Sequence, residues 1–452
     1  MSTNLTTRTR QVMRTLGDEK TGRLSGGTKI LLVLVGIAMA IAIVRYFWGL
    51  GATTNLNDAY PWGLWIGFDV LCGVALAAGG FTLAATVYIF QLRKYHSVVR
   101  PAVLTGLLGY TLVVVALLVD LGRYYRIWHP MVMWQHASVM FEVGWCVMLY
   151  TIVLALEFVP AVFERFGLKS VRALVRRYTS PLIVALLTLF TAALSHSWAW
   201  TVAVFVVMGF LYVMISRGSL REDPNTPLLL VMAGVILSTL HQSSLGSLFL
   251  IVPHKLSPLW YTPILPILFF VSAVYVGVAM VIFESTIGSR VFRRPLETDV
   301  LVGLGKALPY ILTLYLLLKV GDIVARGAVD AAFTLSTQSV TFWIEILVGV
   351  ALPLTLLMSP EIGRSASGLF WSALCVIAGL VLNRLNVGII GIKVESWQTY
   401  FPSWMEFAIS IGIVSAGLIL FSLAARHLPI YECAPERETR GVRRSETVTA
   451  KE

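Results

Sequence analysis

"SVMFEVGWCVMLYTIVLALEF", Ser138 to Phe158, is the stretch on which the fold turns. A run of ~20 predominantly apolar residues in helical form spans the ~30 Å hydrocarbon core of a bilayer. Near the start of this one stands a carboxylate, Glu142. A carboxylate inside a membrane helix costs ~2.5–3.5 kcal/mol on insertion scales. The remainder of the chain has to supply its partners or its purpose.

Composition agrees with a bilayer as solvent. The 452 residues are 57% hydrophobic and only 13% charged, against ~25% charged in soluble domains. Twelve apolar runs read as spanning helices, the fourth near 137–156, the fifth and sixth short near 182–197 and 199–216, and the seventh near 227–245. The N-terminus is a basic, Ser/Thr-rich tail without the compact layout of a cleaved signal peptide, so the first helix is expected to be retained. Cys72, Cys146, Cys375 and Cys433 are scattered with no C-x-x-C pair, which argues against an iron–sulfur cluster, a structural zinc or a disulfide framework. No Walker loop, no dinucleotide fingerprint and no H-E-x-x-H occurs.

Charge orients the helices. With the N-terminus inside, the inside segments hold 27 Lys and Arg and the outside loops five. By the positive-inside rule both termini are cytoplasmic. The net charge of +11 then reports topology and lipid headgroups, and nucleic acid is not expected as a partner.

Buried polar residues carry whatever chemistry there is. Toward the outer leaflet come Asp69 in the second helix, Asp120 at the end of the third, Arg123 just beyond it, His136, and Glu142 in the fourth. Together they predict a polar pocket, unless Asp120 and Arg123 merely staple one helix end. "STLHQSSLGSLF" (238–249) closes the seventh helix, where His241 suits a carbonyl-bearing ligand or a helix cap. Tyr110 lies mid-way along the third helix and Glu284 ends the eighth at the inner face, so Glu142, His241, Tyr110 and Glu284 form a ladder of proton-carrying groups if they share one interior. Lys319, Asp322, Glu345 and Arg384 sum to zero charge and read as a salt-bridge network. A membrane haem needs two facing histidines. Only His136, His196 and His241 fall near helix ends on one side, and none sits deep opposite another.

Several stretches resemble the NrfD/PsrC family of membrane quinone-reactive subunits, and within it the HybB-like branch that serves uptake [NiFe]-hydrogenases. They include "NLNDAYPWGLWIGFDVLCGVALAAGGFTLAATVYIF", "YHSVVRPAVLTGLLGY", "LALEFVPAVFERFG", "LHQSSLGSLF", "VIFE", "FWIEIL" and "YFPSWMEFAISIG", in order between about residues 45 and 430. The resemblance implies an all-α polytopic protein of two four-helix bundles with flanking helices. It implies no bound cofactor, a quinone, expected to be menaquinone, as substrate, and a ferredoxin-like iron–sulfur subunit docked on the periplasmic side of a larger complex. On the matching motifs Tyr110, Glu142, His241 and Glu284 fall on the branch's quinone and proton residues. The expected organisation is a cytoplasmic tail over 1–29, a first helix and outer loop over 30–64, a first bundle over 65–260 with an inserted hairpin at 180–226, a second bundle over 261–400, and a last helix and tail over 401–452. The hairpin departs from the branch's ten-helix pattern and leaves open whether the partner is a hydrogenase or a sulfur or cytochrome enzyme. Two other functions compete: a proton or ion transporter, to which Gly79 and Gly80 in the second helix are a weak pointer, and a purely structural anchor.

Overall fold

The computed structural model of the chain describes residues 26–60, 62–195, 197–218, 227–394 and 400–431. Most of the basic tail, His196, Cys433 and the C-terminal tail lie outside them. Among the described residues are twelve helices of 19 to 28 residues, apolar enough to cross a bilayer. They are α1 (Gly26–Trp48), α2 (Trp65–Ile89), α3 (Arg93–Asp120), α4 (Val139–Phe166), α5 (Lys169–Leu194), α6 (Trp198–Ser216), α7 (Leu228–Ile251), α8 (Leu265–Val291), α9 (Thr298–Ala325), α10 (Thr337–Met358), α11 (Ala366–Ile390) and α12 (Trp404–His427). The chain is an all-α, multi-pass membrane protein. Twelve crossings bring Gly26 and His427 to the same side, here the terminal face; the opposite side is the distal face.

Local sequence explains the helix ends. Ser138 caps α4 by accepting a hydrogen bond from the Phe141 backbone, and Gly167, with φ of 67°, closes it in the left-handed region. A non-glycine residue reaches that region only at a steric cost. At the start of α12, Ser403 and Glu406 form a reciprocal capping box, which satisfies donors a helix start leaves orphaned.

Several helices run further toward the terminal face than their apolar cores suggest. α4 continues to Phe166 and α5 begins at Lys169, so α5 is a 26-residue helix and not a short one. Lys169, Arg172, Arg176 and Arg177 therefore sit on the first turns of α5. Hydropathy marks only the part of a helix in hydrocarbon, whereas the backbone stays helical through the headgroup layer, where these side chains are solvated.

α2, α3, α4 and α7 pack as one four-helix set, α8 to α11 as a second. α2 and α8 form the centre, with 72% of the apolar stretch of each buried, against 11% for α6. The two sets meet where Gly79 of α2 crosses Gly277 of α8: a Cβ on Gly277 would stand 2.8 Å from the Gly79 backbone nitrogen. Small residues that let backbones touch are how membrane helices gain packing energy where lipid removes the hydrophobic drive. The Gly79 region thus serves the inter-bundle contact, and it lies just past a turn at Ala77 and Ala78 that interrupts the helical run of α2. α5 and α6 pair with each other, and α5 also packs on α4 and α7; α1 and α12 pair on the far flank against α3.

Arg45 fastens that flank. It is 2% exposed and donates from Nε to the carbonyl of Val119 at 2.5 Å and from Nη2 to Leu121. Its guanidinium also lies 5.4 Å from the Tyr124 ring centroid. A cation at the C-terminus of α3 meets the negative end of that helix's dipole. We predict that Arg45→Met costs about 2–5 kcal/mol, read as a lower melting temperature of the detergent-solubilised protein. An unchanged melting temperature would show that α1 docks by apolar packing alone.

Candidate functional site

Inside the first bundle, α3, α4 and α7 bring together a column of polar side chains. Its distal end is Glu142, in the first turn of α4, whose Oε1 lies 2.5 Å from the Ser244 hydroxyl of α7. One turn deeper on α7 is His241, 0% exposed. Its ring centroid is 5.5 Å from that of Tyr110 on α3. Tyr110 in turn meets Tyr150 of α4 edge to face at 4.6 Å. Ser238, one further turn down α7, faces both phenols. Gln242 anchors the column to α2 through its amide, which donates to Val74 O at 3.0 Å.

Spacing makes this possible. Ser238, His241 and Ser244 follow at three-residue steps along one side of α7, and Gln242, one turn on from Ser238, points instead to α2. On α4, Glu142, Cys146 and Tyr150 follow at four-residue steps and form a matching stripe. α7 does not close near residue 245 but continues to Ile251, so His241 is mid-helix and not a helix-end cap. Gly246 lets α7 and α8 touch: a Cβ there would fall 2.7 Å from Pro266 Cα of α8.

Unmet hydrogen-bonding capacity is concentrated in the column, although Arg384 Nε, Asn386 Oδ1 and Ser372 Oγ of the second bundle are also buried without a partner. The Tyr110 and Tyr150 hydroxyls, Ser238 Oγ, both His241 ring nitrogens and Gln242 Oε1 are all buried without a close hydrogen bond to the protein, although Ser238 lies near both phenols and Gln242 near Tyr110. Each such group costs ~1–3 kcal/mol, and native proteins satisfy more than ~90% of their buried polar atoms. Six such atoms side by side form a polar column suited to holding water and to moving protons.

The second bundle holds its buried carboxylate differently. Glu345 of α10 accepts from Trp260 Nε1 at 3.0 Å, Asn383 Nδ2 at 2.8 Å and Asn386 Nδ2 at 2.8 Å. Arg384 donates to Asn383 Oδ1 at 2.6 Å and to Ser272 at 2.7 Å, with its guanidinium 3.7 Å from the Phe269 centroid. Lys319 donates to Leu259 O at 2.7 Å. Among the described residues Glu345, Arg384 and Lys319 form no direct ion pair with one another. Asn383 bridges the first two, and Asp322 pairs with Arg326 at 2.6 Å. The expected salt-bridge network is therefore a relay of amides, in which Asn383 and Asn386 supply hydrogen bonds to charges that are all buried.

The remaining expected site residues do not join the column. Asp69, on α2, accepts from Ser410 of α12 at 2.6 Å. Asp120 ends α3 beside Arg45 and Glu406 and forms no ion pair with Arg123 among the described residues. Arg123 is exposed in the distal loop, and His136 is half-buried two residues ahead of the Ser138 cap. The polar groups on the distal side thus fall into two clusters, one in the bundle and one against α1 and α12. Glu406 organises the second: its Oε1 accepts from the Tyr400 hydroxyl at 2.5 Å and its Oε2 from the Asn55 backbone at 3.0 Å. Outside the spans, burial pushes the Tyr400 phenol up from its ordinary pKa, and its bond to Glu406 adds to that. Glu284 lies toward the terminal face, half-buried, and accepts from Thr105 of α3 at 2.7 Å. Among the described residues no three His, Cys, Asp or Glu side chains are grouped to hold a metal ion.

Residues 52–394 match the family of polysulphide reductase, NrfD. A protein of Nitratidesulfovibrio vulgaris is 35% identical over 417 residues, covering 90% of this chain and 95% of its own. The probable Ni/Fe-hydrogenase 2 b-type cytochrome subunit of Escherichia coli is 32% identical over 402 residues, 88% of this chain and 90% of its own. The menaquinone reductase integral membrane subunit of Nitratidesulfovibrio vulgaris is 28% identical over 434 residues, 87% and 91% of the two chains. Matched over most of its length and in the same apolar scaffold that carries the column, this chain belongs to the polysulphide reductase NrfD family.

Proposed function

We propose that the chain is the quinone-reactive membrane subunit of a respiratory oxidoreductase complex, working at the column of the first bundle. The observation that carries this reading is the group of orphaned buried atoms on Tyr110, Tyr150, Ser238, His241 and Gln242. A quinone head presents two carbonyl oxygens, and its reduction consumes two electrons and two protons. The column offers donors for a carbonyl in His241 and the phenols, and a proton-carrying carboxylate in Glu142 beside Ser244. Relatives described as a hydrogenase subunit and a menaquinone reductase subunit support the same reading.

In this account the protein binds and orients the quinone near the distal face, and Glu142, His241 and Tyr110 hold or pass the protons. Electrons come from, or go to, a partner. A ferredoxin-like iron–sulfur subunit on the distal face suits that role, with further catalytic subunits behind it. The Lys and Arg bias supports a cytoplasmic terminal face and a periplasmic distal face in a bacterial or archaeal cytoplasmic membrane. An anchor without chemistry has no use for six unpaired polar atoms in its core.

Two substitutions test this. Glu142→Gln keeps an acceptor for Ser244 but cannot release a proton, so quinone-linked turnover of the assembled complex is expected to fall at least tenfold. Reduction of a soluble dye that exchanges electrons with the partner directly stays normal; full quinone activity in this variant refutes the reading. For His241→Ala the expected outcome is a severalfold higher KM for menadione, or loss of menadione turnover, in a complex that still assembles. Lost stability with unchanged KM would make His241 a packing residue.

A further inference from the structure

α4 carries a second carboxylate, Glu157, which the column so far described does not use. Because α4 runs to Phe166, Glu157 is interior to the helix, two turns from Tyr150 toward the terminal face. Seven residues come to ~700° of rotation and ~10 Å of rise, so the two side chains lie on one face of α4. They are close enough to interact electrostatically. Glu157 Oε1 is buried with no hydrogen-bond partner in the protein.

The carboxylate lines a cavity of about 50 Å³ between α2, α3, α4 and α5. At ~10–15 Å³ per water, that is room for a few waters. His96, Arg100, Glu164, Arg172 and Tyr88 line it as well. Arg100 and Glu164 pair across its mouth at 3.4 Å with side chains 27% and 42% exposed, so the cavity reaches the terminal face past an ion pair that solvent already wets. On the column side, α7 presents Gly234, where a Cβ would stand 3.4 Å from Val153 and 3.8 Å from Tyr150. These are ordinary van der Waals distances, so α7 packs on α4 beside Tyr150 at the level between it and Glu157.

Glu284 Oε1 is likewise buried without a partner, but the carboxylate has a different setting. Its partner Thr105 precedes Tyr110 by five residues, which at ~100° per residue turns the two side chains ~140° apart around α3. Glu284 therefore engages α3 away from the face that carries the column.

We infer that Glu157 is the proton-exchanging carboxylate that links the terminal-face cavity to the Tyr150–Tyr110–His241 column. This rests on the quinone reading above. For each quinone reduced to quinol, Glu157 takes two protons in turn from cavity water. It releases each toward Tyr150, returning to the carboxylate before the next; quinol oxidation runs the same steps in reverse. Glu157 touches neither quinone nor electrons and acts as a relay.

The test uses the intact complex in oriented proteoliposomes, with a reduced viologen as donor, menadione as acceptor and a pH indicator in the compartment that faces the terminal side. In Glu157→Gln, protons taken from that compartment per electron are expected to fall at least fivefold. Glu157→Asp restores most of the ratio, and dye reduction at the partner is unchanged. If Glu157→Gln fails to assemble, Ala161→Phe, which fills the cavity and spares the carboxylate, has to give the same loss. An unchanged ratio in either variant overturns the proposal, as does a wild-type complex that takes no protons from the terminal side, or a loss seen only in Glu284→Gln. Absence of any menadione turnover in the wild type overturns the quinone reading itself, a result distinct from all of these.

Discussion

Hydrocarbon offers no hydrogen bonds, so a membrane protein must satisfy its buried polar groups from within or leave them costly. This chain does both, in different places. Arg45 spends its donors on the carbonyls at the end of α3, Glu345 is wrapped in three N–H groups, and Asp69 is held by Ser410. The column between α3, α4 and α7 is left open. That contrast, more than the presence of charged residues, separates scaffold from site.

The two bundles use related materials for opposite ends. Each contains a tyrosine pair in edge-to-face contact, Tyr110 with Tyr150 at 4.6 Å and Tyr275 with Tyr315 at 5.2 Å. In the second bundle the Tyr315 hydroxyl has Asn383 as a partner at 3.4 Å, and Asn383 joins it to Glu345 and Arg384. In the first, the phenols face a histidine and a serine that are themselves unsatisfied. The second bundle holds its carboxylate and its phenol in named hydrogen bonds, although Arg384 Nε, Asn386 Oδ1 and Ser372 Oγ there are unpartnered, and the inter-bundle glycine contact at Gly79 and Gly277 keeps the first registered against it.

Much of this was legible in the amino-acid sequence. The twelve spans follow from apolar run length alone, and Glu142 stood out because hydrocarbon makes any carboxylate in such a run expensive. His241 and Tyr110 were visible as polar residues inside apolar helices. Three things were hidden, each for a physical reason. Helix ends in the headgroup layer are not apolar, so α4 was expected to stop near residue 156 and Glu157 to fall in a loop. Gly246 signals a close helix crossing as readily as a helix end, and only the packing against Pro266 decides between them. Asp69, Asp120 and Glu142 share a depth, but depth says nothing of rotation, and rotation sends the first two toward α12 and α1. The three-residue rhythm of Ser238, His241 and Ser244 was the unused signal that could have identified the face of α7.

The central claim is that the guest of this protein binds in the first bundle. Photolabelling of the purified complex with an azido-naphthoquinone, followed by peptide mapping by mass spectrometry, tests it most directly. The account predicts label on α4 and α7 near Glu142 and His241, displaced by excess menadione. Displaceable label confined to the second bundle around Glu345, with none on α4 or α7, would contradict it.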